Sequence, residues 1–225
     1  MAVKYSANAV LAMVRALYGK RLTREELSLL AASSSVPEVV DRLKNSSDYS
    51  EQFASVSSAD LTRERVETLL TERQRQRIAS ISTYEKTLGM VFYRYNIVRY
   101  DIELIVHFTA LLRSDSSEKQ ILYMPGFYLR NTNLDLTRLS EASDFSSLLL
   151  AVKGTPYHRI LSDCELRYRS DGEIIPVEQA LLEYSRRELL SLSVRSGFSA
   201  ADKCELFKQT SDINALIMLY RMTAL

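Results

Sequence analysis

One short pattern occurs three times in this chain of 225 residues, and it restricts the possible folds more than any other feature. The copies read YSANAVLAMVR from Tyr5, YDIELIVHFTALLR from Tyr100 and SDINALIMLYR from Ser211. Their starting points are roughly 95 and 111 residues apart, which is far longer than the repeat of a solenoid of short units. The pattern therefore predicts a chain built from similar helical modules.

The module boundaries follow from where the copies begin. We expect a first helical module with a long helix at residues 1–99, a second module at 100–210 and the start of a third at 211–225. Because the chain ends near the point where the third helix should meet its neighbours, we expect that module to be truncated. A chain of this length is long enough for one large domain or two ordinary domains with real hydrophobic cores.

Two copies carry the same pair of polar residues, Asn8 with Arg15 and Asn214 with Arg221. Each pair is separated by seven residues, which is two helical turns, so both side chains share one helix face. The surrounding residues are apolar, and burying such groups without partners would be costly. Two interpretations stay open: a hydrogen-bond network between helices, or contact with a partner subunit. We take all four residues as candidate partner-binding residues.

Helix start and stop signals predict an all-α protein. The four prolines and most of the glycines fall where a helix could begin or end. Thr23 and Glu26 have the spacing of a capping box, and Ser35 and Ser199 are similar N-terminal caps. Beyond the opening helix, we expect helices near residues 23–32, 36–44, 115–124, 144–153, 156–169, 176–195 and 199–225, and a short extended segment at 173–175.

A long amphipathic stretch without proline runs from Thr62 to Arg113. Its apolar residues recur at steps of three and four, which indicates helix. They are Val66, Leu69, Leu70, Ile78, Ile81, Tyr84, Leu88, Val91, Tyr95 and Val98. We expect one long helix, or two helices joined near Gly89 or Tyr100.

The beginning of this stretch, residues 62–77, is rich in arginine, with glutamates interspersed. Glutamate and arginine three to five residues apart pair along a helix, which favours a solvated helix face. Docking against an acidic protein surface and binding of nucleic acid are the alternatives. The formal net charge of +1 is far from the strongly basic balance of nucleic-acid binders, so we predict no nucleic-acid partner.

Signals for chemistry are weak. The chain has no glycine-rich phosphate loop and no nucleophile elbow. His107 and His158 have no second histidine at helical spacing, and Cys164 and Cys204 are expected to be buried, reduced thiols. We therefore predict no catalytic, metal-binding or cofactor-binding residues and no cofactor. No segment approaches the ~20 apolar residues of a membrane span, so any membrane contact should run through a partner.

Six segments together resemble a known family, the C subunits (d subunits in eukaryotes) of V-type and A-type rotary ATPases. They occur in the family's order and cover most of the chain. The segments are Tyr5–Asn8 through Arg15–Leu17, Val36–Val40 before Leu43–Lys44, Leu61–Glu67, Tyr100–Ile102, Leu148–Tyr157 and Asp212–Asn214.

The resemblance implies an all-helical body of three modules, arranged like a funnel about a pseudo-threefold axis in the longer family members. It also implies a non-catalytic subunit that joins the central stalk to the membrane rotor ring and transmits torque for ion transport. The implied partners are other rotary ATPase subunits, and the implied location is cytoplasmic, peripheral to the membrane within the complex. The alternative is a stand-alone helical scaffold or adaptor derived from that family.

Overall fold

The computed structural model describes the backbone of residues 2–46, 48–54, 56, 62–112, 123–171 and 174–223, and the side chains within these ranges from 7 to 170 and from 174 to 211. Every regular element in these residues is an α-helix, which confirms the predicted all-α fold class. The helices are α1 (Ala2–Gly19), α2 (Arg24–Ala31), α3 (Val36–Lys44), α4 (Ser50–Phe53), α5 (Arg63–Thr87), α6 (Tyr93–Leu111), α7 (Gly126–Leu129), α8 (Leu136–Glu141), α9 (Phe145–Ala151), α10 (Pro156–Asp171), α11 (Ile175–Arg195) and α12 (Ala200–Thr223).

The chain divides into two compact units. Unit 1 comprises Met1–Ile97 and Ser116–Asn133, and unit 2 comprises Val98–Asp115 and Leu134–Leu225. The dividing line therefore falls within α6. The three modules expected from the repeated pattern stay a prediction, because compactness alone does not test whether the units share an origin.

The short helices of unit 1 begin at side-chain caps that the sequence predicts. Thr23 Oγ1 accepts a hydrogen bond from the Glu26 backbone N–H at 3.1 Å, and the Glu26 carboxylate accepts one from the Thr23 N–H at 2.7 Å. At α3, Ser35 Oγ accepts from Glu38 N–H at 3.4 Å. The Glu38 carboxylate instead accepts from the backbone N–H of Ser34, at 2.9 Å, one residue earlier than in a standard capping box.

The core of unit 1 forms where α3, α4 and α5 meet. Its buried side chains are Val40 and Leu43 of α3, Phe53 of α4, and Val66 and Leu69 of α5. Burying a side chain of this size contributes roughly 1.5–3 kcal/mol, so these few residues fix the first turns of α5 against the smaller helices. The sequence contains no signal for α4, because one helical turn is too short for a periodic pattern.

The amphipathic stretch that begins at Thr62 forms two helices, which is one of the two arrangements expected from the sequence. α5 has 25 residues, about 37 Å at 1.5 Å per residue, and ends before Gly89, whose φ is +72°. The Gly89 N–H donates to Lys86 O at 3.0 Å and the Met90 N–H donates to Glu85 O at 3.0 Å. These two bonds form a Schellman motif, which requires a left-handed residue at this position.

The predicted apolar stripe is wrong in the second half of α5. Tyr84 is 37% exposed, and the buried positions there are Arg75, Ala79, Ser82 and Glu85. The Ser82 hydroxyl accepts a hydrogen bond from Asn96 Nδ2 of α6 at 2.9 Å. The helix thus turns a small and polar face inward, which periodicity in apolar residues cannot locate.

In unit 2, α9 packs against α8 and α10, and α10 packs against α11. Tyr157 of α10 donates a hydrogen bond to Asp101 of α6. Asp144 caps α9 by accepting from the Ser147 N–H at 2.7 Å, and Pro156 is the first residue of α10, as predicted. The fully buried large side chains of this unit are Leu104, Ile105, Leu139, Leu148, Val152, Leu161, Val177, Leu181, Leu189 and Leu192.

Among the other sequence predictions near turns, some are wrong and one is confirmed. The extended segment expected at 173–175 is wrong for Ile174, which has helical backbone angles, and for Ile175, which begins α11. Most of the helix expected at 115–124 lies outside the described residues, and Tyr123 and Met124 are not helical. The Ser199 cap is confirmed: its Oγ accepts from the Asp202 N–H at 3.1 Å.

Candidate partner-binding surface

The first copy of the repeated pattern forms α1, which packs along α5. Its half-buried side chains, Ala9, Val10, Met13 and Leu17, lie on one face at steps of one, three and four. Asn8, Leu11, Arg15 and Tyr18 follow one another at steps of three and four and are exposed. The helix therefore has one face on unit 1 and another open to solvent.

The open face of α1 is unusually apolar. Leu11 is 45% exposed, Val14 39% and Tyr18 62%. None of the α1 side chains that the structure describes, residues 7–19, is fully buried. An exposed patch of this kind on a helix marks a protein contact more often than a solvated surface. We call the side chains of Asn8, Leu11, Val14, Arg15 and Tyr18 the α1 surface.

The two polar members of this surface do not form the inter-helix network that was one of the two expectations. Asn8 and Arg15 are both exposed, and neither makes a hydrogen bond or ion pair to any described residue. Within the described residues of unit 1, this pair therefore forms no such network, and both interpretations of its role stay predictions.

The C-terminal end of α1 is held by a cation–π contact. The Arg21 guanidinium lies 3.5 Å from the centre of the Tyr18 ring, and Arg21 Nη1 donates a hydrogen bond to Tyr18 O at 3.2 Å. These contacts satisfy a carbonyl at the helix end and fix the orientation of the Tyr18 ring. The exposed aromatic side chain is therefore presented in an ordered position.

The second copy has a different environment. Its residues Tyr100, Asp101 and Ile102 are buried in unit 2. Asp101 Oδ2 accepts a hydrogen bond from the Tyr157 hydroxyl of α10 at 3.2 Å. Burial and the neighbouring Asp101 carboxylate raise the pKa of Tyr157, which therefore stays protonated and donates. The same sequence pattern thus contributes buried residues to the core of unit 2 and exposed residues to a helix face in unit 1.

The third copy lies on α12. Asn214 and Arg221 fall within this helix, but their side chains lie outside the described residues. Among the described side chains, the structure places Asn8 and Arg15 together on one face of α1. Their role as partner-binding residues stays a prediction.

The sequence favours a solvated helix face for the arginine-rich part of α5. The structure agrees with this for only some of its arginines. Arg63 is exposed and pairs with Glu67 at 2.7 Å. Farther along, Arg73 Nη2 lies 3.7 Å from Asp48 Oδ1, and Arg77 Nη2 forms an ion pair with Asp48 Oδ2. Asp48 is 2% exposed, and burial lowers the pKa of Arg77. The sequence analysis did not single out Asp48, since one aspartate in a serine-rich connection gives no periodic signal.

Residues that could carry chemistry are scattered. His107 is half-buried and packs edge-on against Phe108, with ring centres 5.5 Å apart. Cys164 is buried, but Cys204 is exposed, so the expectation of two buried thiols is wrong for Cys204. Among the described residues, no three histidine, cysteine or acidic side chains lie close enough to hold a metal ion. No helix in the described ranges has both the length and the hydropathy needed to cross a bilayer.

In the part of the chain that the structure describes, fold and surface define an all-α protein whose N-terminal helix has one half-buried face and one exposed face. Comparison with known families then identifies the chain. The model of the ATP synthase (C/AC39) subunit family matches residues 10–225, and the chain belongs to that family. The family is one of structural, non-catalytic subunits of A-type and V-type ATP synthases.

A curated relative supports this assignment. The chain is 27% identical over 198 residues to the C subunit of the A-type ATP synthase of Methanosphaera stadtmanae. The alignment covers 87% of this chain and 48% of that protein, so the chain spans about half the length of this relative. No solved structure matches the chain.

Proposed function

We propose that this chain is a non-catalytic central-stalk subunit of an A-type or V-type rotary ATPase, which links the stalk to the membrane rotor ring. The observation that carries the proposal is the family match over residues 10–225. In this role the chain transmits torque between ATP turnover and ion transport and carries out no reaction itself. Its proposed location is the cytoplasmic side of the membrane, held there through the complex.

The mechanical requirements of such a role agree with the described helices. A part that transmits torque must deform little under load, and close-packed helices have low compressibility. α5, at 25 residues, and α11, at 21 residues, are the kind of long helices that give stiffness over distance. The dense apolar cores of both units support the same interpretation.

The α1 surface is the proposed contact for a stalk or ring subunit. Leu11, Val14 and Tyr18 would supply the apolar centre of the interface, and Asn8 and Arg15 would donate hydrogen bonds. By the repeated pattern, Asn214 and Arg221 of α12 are proposed to make equivalent contacts. An exposed apolar face without a described partner helix is what supports this assignment.

Affinity purification tests the role directly. The tagged chain, expressed in its own organism and recovered from solubilised membranes, should bring with it the stalk and ring subunits of the ATPase. Leu11→Asp should reduce this recovery by roughly tenfold or more, because it places a charge in the apolar contact. Leu166→Asp is the matched control, since Leu166 is 83% exposed in unit 2.

Coupling provides a second readout. An ATPase complex assembled without the chain should still hydrolyse ATP but should no longer drive ion transport, and adding the chain should restore transport. Recovery of the chain without any ATPase subunit, together with transport unaffected by its removal, would contradict the proposal. That result would support the alternative, a stand-alone helical scaffold or adaptor of the same family.

A further inference from the structure

Unit 1 contains a second surface, a groove of about 470 Å³ on the side of α5. Arg73, Gln76 and Arg77 of α5 line one wall, and Arg130, which follows α7, lines the other. Leu17 of α1 and Phe127 of α7 contribute apolar surface. We call this site the arginine groove.

Positive charge in the arginine groove is only partly balanced. No aspartate or glutamate is among its lining residues. Asp48, which is not among the lining residues, is the single carboxylate paired with Arg73 and Arg77 in the described part of the chain. The Arg130 side chain is exposed and makes no hydrogen bond or ion pair to a described residue. Arg73 and Arg77 therefore share one buried carboxylate, and Arg130 is paired with none among the described residues.

The Arg130 guanidinium lies close to Gly126. A Cβ atom built on Gly126 would lie 3.2 Å from Arg130 Nη1, so the guanidinium lies close against the backbone of α7. On the opposite wall, Gln76 Nε2 donates a hydrogen bond to the Tyr123 hydroxyl at 3.0 Å, which links the 123–130 segment to α5. The groove thus has two connected walls that both carry arginines.

The chemistry of the walls indicates the type of ligand. Planar guanidinium groups bind carboxylates through paired N–H donors, and the neighbouring apolar surface suits the side chains of a peptide. Phe127 is buried and packs edge-on against Tyr93, with ring centres 6.1 Å apart, so it offers no open face for base stacking. A short groove on a chain of formal charge +1 is also a poor match to a nucleic-acid backbone.

We propose that the arginine groove binds an acidic segment of a partner protein, with carboxylates placed between Arg73, Arg77 and Arg130. This assignment is independent of the stalk role, because it rests only on the charge and shape of unit 1. It concerns a different face of the molecule from the α1 surface. The sequence leaves open that the arginine-rich stretch docks against an acidic protein surface. The present proposal assigns that contact to Arg73, Arg77 and Arg130.

Fluorescence anisotropy tests the proposal with the full chain and a short labelled peptide of alternating glutamate and leucine. The same peptide with glutamine in place of glutamate is the ligand control. We expect saturable binding of the glutamate peptide that weakens as salt is raised, and at least about tenfold weaker binding of the glutamine peptide. Equal binding of both peptides, or no saturable binding of the glutamate peptide, would overturn the proposal.

Matched variants locate the binding site. Arg130→Gln should weaken binding about tenfold, since it removes a charged donor, while Arg65→Gln, an exposed arginine of α5 outside the groove, should change it little. Ser80→Glu, which places a carboxylate on the groove wall, should block binding and guards against a misfolded Arg130→Gln. Equal losses in Arg130→Gln and Arg65→Gln would overturn the site.

Competition distinguishes the ligand class. Inorganic phosphate and a single-stranded RNA oligonucleotide are added at matched ionic strength. The proposal expects neither to displace the glutamate peptide beyond the effect of ionic strength alone. Specific displacement by phosphate or by RNA, lost in Arg130→Gln, would overturn the carboxylate assignment in favour of a phosphate-bearing ligand.

Discussion

Single buried polar side chains have the clearest measurable consequences in this protein. Glu85 of α5 is 6% exposed, and its Oε2 atom has no hydrogen-bond partner among the described residues. Burial raises the pKa of this carboxyl group. The folded state therefore holds the proton more readily than the unfolded chain, and Glu85 stabilises the fold least when it is ionised.

The pH dependence of Glu85→Gln follows from that shift. Because the folded pKa lies above the unfolded value of about 4.3, the contribution of Glu85 to stability falls as the pH rises from that value through the folded pKa. Glu85→Gln should remove this fall and increase the free energy of unfolding at pH 8 by about 1 kcal/mol. Urea unfolding of both proteins at pH 4 and pH 8 measures this difference in the free energy of unfolding. Glu141→Gln, at an exposed carboxyl, should leave the profile unchanged.

The Tyr157 hydroxyl offers a second test at this scale. Tyr157→Phe removes the donor to Asp101 while keeping the ring, whose centre lies 5.6 Å from that of Tyr184. Because the Asp101 carboxylate is buried, losing a donor should lower the free energy of unfolding by about 1–3 kcal/mol. Tyr184→Phe keeps the same ring contact and should cost less. Equal costs for the two variants would show that the hydrogen bond from Tyr157 to Asp101 contributes no more to stability than the Tyr184 hydroxyl does.

At the scale of helices, local signals predict where an element begins, and tertiary contacts decide which face it buries. Thr23, Ser35 and Ser199 cap helices as expected, because capping involves residues only three or four positions apart. The inward face of α5 at Arg75 was not predictable, since the Arg75 side chain donates to the carbonyl of Tyr123, which is distant in the chain.

The joint between α5 and α6 depends on the left-handed backbone of Gly89. Gly89→Ala should lower the free energy of unfolding by about 1 kcal/mol, because φ is +72° and a Cβ is strained there. No atom lies within 4 Å of the position that this Cβ would take, so the cost is one of backbone conformation alone. Gly19→Ala, at the end of α1 without a positive φ, should be neutral or slightly stabilising. Thermal unfolding of both variants measures the difference.

For the whole molecule, the repeated pattern correctly indicates helices but not their surroundings. The spacing of Asn8 and Arg15 predicts a shared face, which α1 has, because that follows from helix geometry. Their exposure could not be read from the sequence, since the neighbours of α1 are set by the packing of unit 1. The pattern also gives no sign that Asp101 of the second copy is buried against Tyr157.

The open face of α1 leads to a prediction for the isolated chain in solution. Leu11, Val14 and Tyr18 are exposed together, and an apolar patch without a partner tends to be covered by another copy. Sedimentation velocity should therefore show self-association that increases with concentration. The double variant Leu11→Gln with Val14→Gln should shift the protein toward monomer, whereas Leu166→Gln in unit 2 should not. A wild-type chain that stays monomeric at high concentration would contradict this.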